Sequence, residues 1–166
     1  HKLRHTYGVN PGDRVAILAD NHPQWIITFW ATVSIGGICA GLNGWWSRDE
    51  ILHALEDAQP KLLLGDRKRL ARIAGVNLPF PVICIEDDFA TLEQGWDAGE
   101  GALPDCQIAE DDPALILYTS GTTGRAKGAL LSHGALAANA LALHKAWGFT
   151  PSDVLLHALP IYHVHG

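Results

Sequence analysis

Positive charge is scarce in this sequence. Lys and Arg number 12 against 18 Asp and Glu, a formal charge of −6 at pH 7, and the acidic balance holds throughout. A general nucleic-acid surface is basic because it must neutralise phosphates, so no nucleic-acid partner is expected. Cysteine is scarce as well. Cys39, Cys84 and Cys106 share no close spacing. Neither a zinc pattern nor a disulfide framework is visible, which suits a reducing, cytoplasmic setting. Cys39 and Cys84 lie in apolar runs and read as small buried hydrophobes. The sequence shows no internal repeat and no low-complexity linker. It opens at His1 without a methionine or a signal peptide and stops at "IYHVHG", directly after an apolar run. The expectation is a fragment of a longer protein.

One stretch lacks charge altogether. Gln24 to Ser47 is near the length that spans a bilayer. Gly36-Gly37 interrupts it, and "HPQW" before it resembles a helix start. The reading is a buried helix followed by a short buried strand, with no membrane span.

What is present is an alternation. At 166 residues and 48% hydrophobic, the chain fits one ordinary domain, or one lobe of a larger protein, with a real core. "DRVAILAD" reads as a buried strand, Pro23 to Ser34 as a buried helix with proline in its first turn, and "GICAGL" as a strand. Ser47 caps the next helix, with Glu50 completing a capping box, Trp46 and Ile51 forming a hydrophobic staple, and Pro60 stopping it. "KLLLGD" is a strand, "RKRLARIAG" a short helix ending at Gly75, and "PVICIED" a strand. Glu86 to Gly101 reads as an acidic surface helix with loops. "ALILY" and "GALLSH" are strands entering and leaving a glycine loop; a helix capped by Ser132 runs to about Trp147 and ends at Gly148, and "DVLLHALP" is a last strand. Strands alternating with helices predict an α/β fold with a largely parallel sheet flanked by helices. The glycine loop then sits at a strand end, where such folds bind ligands.

That loop, "LYTSGTTGRAKGALLSHGAL", concentrates hydroxyls, glycines and a lysine between two apolar runs. Thr119, Ser120, Thr122 and Thr123 offer donors, Gly121, Gly124 and Gly128 free the backbone, and Lys127 adds a positive charge. Glycines permit N–H groups to turn toward an anion, so the set is complementary to a polyphosphate. A plain hairpin turn would account for the glycines but not for four neighbouring hydroxyls and a lysine. The common P-loop is excluded: its lysine follows the last glycine directly and a helix comes next, whereas here Arg125-Ala126 precede Lys127 and a strand follows.

"YTSGTTGRAKGALLSH" closely resembles the phosphate loop of the adenylate-forming superfamily, whose members include acyl-CoA synthetases, luciferases and nonribosomal peptide synthetase adenylation domains. Tyr118, Thr119, Ser120, Gly121, Thr122, Thr123, Gly124, Lys127, Gly128, Ser132 and His133 match its pattern; Ala126 departs from it, standing where the family usually has proline. "LHALPIYHVHG" resembles the family's P-x-x-H segment, with Pro160 and His163 in register. "GDRVAIL", "GGICAGLN" and "WWSRDEILHALEDAQPKLLLGD" fit its preceding region. "NGWWSRDEI" and "PIYHVHG" look most like fatty-acyl and malonyl-type CoA ligases.

The resemblance implies the N-terminal part of a large adenylate-forming domain, with residues 1–166 an incomplete portion and both the remainder and the C-terminal lid domain absent. It implies ATP, Mg²⁺ and coenzyme A as cofactors, and a carboxylic, fatty acid as substrate. Thr119, Ser120, Gly121, Thr122, Thr123, Gly124 and Lys127 would cradle the β- and γ-phosphates, and His163 would stand as the catalytic residue beside the reacting carboxylate. The family's adenine, ribose, magnesium and lid-lysine motifs fall beyond the matching positions, so the chain alone is expected to be inactive and prone to self-association. Other readings stay open. His163 and His165 could be a metal pair, although no third ligand accompanies them and no metal site is assigned. Tyr118 could belong to the core. Trp45-Trp46 fit packing better than a substrate platform. The whole could be a non-catalytic nucleotide- or phosphate-binding module, or a degenerate relative without chemistry.

Overall fold

The computed structural model describes residues 1–93, 106–119 and 125–163. Six strands form one sheet: β1 (Arg14–Leu18), β2 (Ile38–Gly41), β3 (Leu62–Gly65), β4 (Val82–Cys84), β5 (Pro113–Thr119) and β6 (Lys127–Ser132), in the order β4-β3-β1-β2-β5-β6. The first five run parallel, and β6 returns antiparallel to β5. Helices α1 (Lys2–His5), α2 (Pro23–Val33), α3 (Arg48–Ala58), α4 (Arg67–Leu70), α5 (Ile85–Glu93) and α6 (His133–Trp147) connect and flank them. The α/β expectation holds.

The central strands β1, β2 and β3 are apolar on both sides because both faces of the sheet are covered there, whereas β6 is largely exposed. The two-residue period sends Val15 and Ile17 of β1 to one face and Ala16 and Leu18 to the other. On the first face Trp25 of α2 and Phe89 of α5 pack with Cys39, Leu64 and Leu115. On the second, Ile51, Ala54 and Leu55 of α3 pack with Leu42, Leu63 and Trp46.

Local chemistry sets the element ends as expected. In α3, Glu50 Oε2 accepts from the Ser47 backbone N–H at 2.8 Å, the capping box is closed, and the staple residues Trp46 and Ile51 share one cluster. Gln59 ends α3 in the left-handed region, ahead of Pro60. The uncharged stretch divides into α2 and β2, and among the described residues no helix is long and apolar enough to cross a membrane. "RKRLARIAG" forms α4 followed by a 3-10 turn, Ala71–Ile73, before Gly75 at positive φ. The expected "PVICIED" strand is shorter, since α5 starts directly after Cys84. Residues 94–101 of the expected acidic segment lie outside the described residues.

One expectation fails. "DVLLHALP" is not a strand. Its apolar run has strand composition, but a strand exists only in a ladder, and none of the six strands pairs with it. Val154, Leu155 and Leu156 are 96%, 73% and 90% exposed.

Candidate functional site

Because β1, β2, β3 and β5 are parallel, their carboxyl ends share one edge of the sheet, the edge at which open α/β sheets bind ligands. The β5–β6 hairpin opens there. Thr119 pairs with Lys127 as its last register partner, and Thr119 Oγ1 donates to the Lys127 carbonyl at 3.4 Å. Both residues are exposed at the mouth of the loop. Ser120, Gly121, Thr122, Thr123 and Gly124 lie outside the described residues.

The strand entering the loop is tied down from below. Tyr118 stacks edge-on against Trp46, with ring centroids 5.5 Å apart, and its hydroxyl lies 2.8 Å from Asp57 Oδ2 and 3.1 Å from the Ala54 carbonyl. Burial, reinforced by the neighbouring Asp57 carboxylate, pushes the Tyr118 phenol well above its ordinary pKa, so it remains a neutral donor. Tyr118 thus fastens β5 to α3 just before the loop. Gly128 differs from its expected role. It pairs with Tyr118 inside the β5–β6 ladder and has no positive φ. Its lack of a side chain answers a close approach: a Cβ there would lie 2.8 Å from Ile116 Cγ2 and 3.5 Å from the Tyr118 ring. Gly128→Val is therefore expected to cost about 1–3 kcal/mol by overpacking. A melting temperature equal to that of the unsubstituted protein would show that the hairpin relaxes freely.

The first N–H groups of α6 are already used. His133 N–H donates to the Asp112 carbonyl at 3.0 Å, Gly134 N–H to the Glu110 carbonyl at 2.8 Å, and Ala135 N–H to Ser132 Oγ at 3.2 Å. These N–H groups of the helix start are satisfied within the fold. His133 Nε2 is buried without a hydrogen-bond partner among the described residues.

His163 reaches the same edge by another route. The chain after Leu159 is clamped by Asn21, which follows the carboxyl end of β1. Tyr162 is 5% exposed and packs in the first core cluster. His163 itself is exposed, and its N–H donates to the Pro160 carbonyl at 3.1 Å. Gly41 lies beneath this segment: a Cβ on it would be 3.6 Å from Leu117 Cδ2 of β5 and 3.8 Å from the Tyr162 carbonyl. The P-x-x-H segment and the strand feeding the glycine loop are therefore neighbours.

Sequence reasoning missed a charged cluster at this edge. Arg69 donates from Nη1 to Asp66 Oδ2 at 2.7 Å and from Nε to the Gly44 carbonyl at 3.1 Å, and its Nη2 lies 3.0 Å from Asp20 Oδ2. Asp66 also accepts the backbone N–H groups of Asp20 and Arg69, each at 2.8 Å. Burial alone would raise the Asp20 pKa, but the Asn21 backbone N–H and the Arg69 guanidinium outweigh it and hold the carboxyl below its ordinary value. Arg72 holds the Gly44 and Trp46 carbonyls, each at 2.8 Å. The loop after β2 is thereby pinned. The available signal was positional: Asp20-Asn21 and Asp66 follow apolar strands directly.

The other site expectations divide as follows. Trp46 is buried, and Trp45 is exposed. His165, the second member of the possible metal pair, lies outside the described residues, and among those described no group of three His, Cys, Asp or Glu could hold a metal ion.

A mostly parallel six-stranded sheet whose β5–β6 hairpin opens at its carboxyl edge defines an α/β architecture. Residues 1–166 match the family described as AMP-binding enzyme, and the chain belongs to that family. "Probable CoA ligase CCL8" from Humulus lupulus is 32% identical over 93% of this chain and 27% of its own length. The mitochondrial malonate–CoA ligase of Mus musculus is 33% identical over 93% of this chain and 26% of its own length. Among solved structures, ATP-bound MatB from Rhodopseudomonas palustris superposes with a TM-score of 0.83 at 37% identity, covering 99% of this chain and 33% of that one. The chain thus spans about a quarter to a third of the proteins it resembles.

Proposed function

We propose that this chain is the incomplete N-terminal portion of the adenylation domain of an ATP-dependent acid–thiol ligase. The rest of that domain and a C-terminal lid would lie in the complete protein. The observation that carries the reading is the hairpin: it sets Thr119 opposite Lys127 at the mouth of the glycine loop, on the sheet edge where the His163 segment is docked. The family match over residues 1–166 and the likeness to an ATP-bound structure support it.

A carboxylate resists attack because its leaving group would be oxide. In the proposed reaction its oxygen attacks the α-phosphorus of ATP, pyrophosphate departs, and an acyl-adenylate forms. The sulfur of coenzyme A then attacks the acyl carbon, and AMP leaves. Charge gathers on the departing pyrophosphate, so donors preorganised around it lower the barrier. Lys127 and the hydroxyls and amides of residues 119–124 would supply those donors, and His163 would border the reacting carboxylate. Mg²⁺ would neutralise phosphate charge when bound with ATP; among the described residues no group of three His, Cys, Asp or Glu could hold a metal ion.

The fatty-acid expectation gains no support from the relatives named above, whereas the malonate–CoA ligase favours a short dicarboxylic acid. A cytoplasmic location remains our proposal, although that relative is mitochondrial.

The test is Lys127→Ala in the complete protein. A charge-assisted contact of about 1.5–3 kcal/mol corresponds to a loss of roughly 10- to 150-fold. Pyrophosphate exchange at saturating acid should fall by that factor with acid binding little changed. An unchanged exchange rate would remove Lys127 from the phosphate site.

A further inference from the structure

We propose that Asn21 is a positioning residue for His163, an inference that rests on the role given to His163 above. The Asn21 amide spends both its functions on the backbone of a segment far away in sequence. Nδ2 donates to the Leu159 carbonyl at 2.8 Å, and Oδ1 accepts from the Ile161 N–H at 2.9 Å. These bonds flank Pro160, which has no N–H of its own to offer. One side chain thus does what a neighbouring strand would do, satisfying backbone groups on either side of an interruption.

The residue before the clamp is anchored: the Asp20 N–H is held by the buried Asp66 carboxylate at 2.8 Å. Beyond the clamp, Tyr162 is seated where glycine leaves room: a Cβ on Gly44 would lie 2.9 Å from Tyr162 Cε1. The turn from Pro160 to His163 closes directly after it.

Burial in the segment starts where Asn21 grips it. Leu156, three residues before Leu159, is 90% exposed, whereas Tyr162 is 5% exposed. Asn21 itself is exposed, so it contributes a tether rather than core packing. A side chain that fixes the backbone two residues before His163 fixes where the imidazole enters the site, and a misplacement of about 1 Å is enough to cost on the order of a hundredfold in rate.

The test is a double-mutant cycle in the complete protein, with pyrophosphate exchange measured for Asn21→Ala, His163→Ala and the pair. Asn21→Ala is expected to lower the saturated rate about tenfold or more while the KM for ATP moves less than about twofold. In the His163→Ala background the same change should cost less than about twofold, because an anchor without its cargo has nothing to position. Asn21→Asp keeps the acceptor for the Ile161 N–H and should recover part of the loss; it also carries the comparison if Asn21→Ala fails to fold. Equal losses in both backgrounds would make Asn21 a merely structural residue and overturn the proposal. So would an impaired His163→Ala beside an unimpaired Asn21→Ala, which would leave the role of His163 standing. A fully active His163→Ala would instead remove that role, and the proposal with it.

Discussion

Arg69→Leu is expected to lower folding stability by about 3–5 kcal/mol, the usual cost of stripping one partner from a buried ion pair. The side chains of Arg69 and Asp66 are 7% and 3% exposed, so their contact is desolvated, unlike an ordinary surface salt bridge. Removing the guanidinium leaves the Asp66 carboxylate buried without its cation and releases the Gly44 carbonyl. Asp66 also caps α4 by accepting the Arg69 N–H, a role an asparagine can fill. Adding Asp66→Asn to Arg69→Leu should therefore recover part of the loss, because the uncompensated charge disappears while the cap survives. Urea midpoints of the single and double variants measure both effects. A loss below about 1 kcal/mol would place the cluster with surface pairs. Asp20 adds a pH dependence. Its folded pKa lies below the ordinary value, so its contribution is fully present above about pH 4 and is lost as pH falls through the depressed folded value.

The strands were legible because β1, β2 and β3 are short apolar runs bounded by turn residues, and because a strand covered on both faces needs no alternation. The α3 start was legible because the Ser47–Glu50 box is a local device whose two partners lie three residues apart. "DVLLHALP" misled for the opposite reason. Its composition is local, but pairing depends on a neighbour that composition does not specify. In the site, Thr119 and Lys127 announce themselves by residue type and spacing. Asn21, Asp66 and Arg69 do not, because an Asn or Asp after a strand reads as an ordinary turn residue, and Arg69 sits in a "RKRL" run that resembles solvated surface. Their meaning is carried by contacts such as Asn21 with Leu159, which only the fold creates.

The 166-residue chain by itself is expected to form no AMP from ATP and a carboxylic acid. It spans 26% of the malonate–CoA ligase and 33% of the ATP-bound structure it resembles. On the proposed reading, what it would hold at the sheet edge is one end of ATP, the β- and γ-phosphates. Catalysis of adenylation also needs the nucleoside held, the metal ligated and the acid aligned in one geometry. Groups that act as a unit lose rate together, so the absence of several should leave little above background. The same chain should associate. Ile26, Ile27 and Trp30 on α2 and Val154, Leu155 and Leu156 after α6 are exposed, and among the described strands β6 lies at the edge of the sheet, paired with β5 alone. Light scattering on the purified chain is expected to show a mass above the monomer's 17.9 kDa, rising with concentration. Incubation with ATP, Mg²⁺, coenzyme A and a panel of dicarboxylic and fatty acids, followed by chromatography for AMP, tests the activity. Steady AMP formation that depends on the acid would show these residues to be a complete catalyst and would sink the proposed division of the site between this chain and the rest of a longer protein.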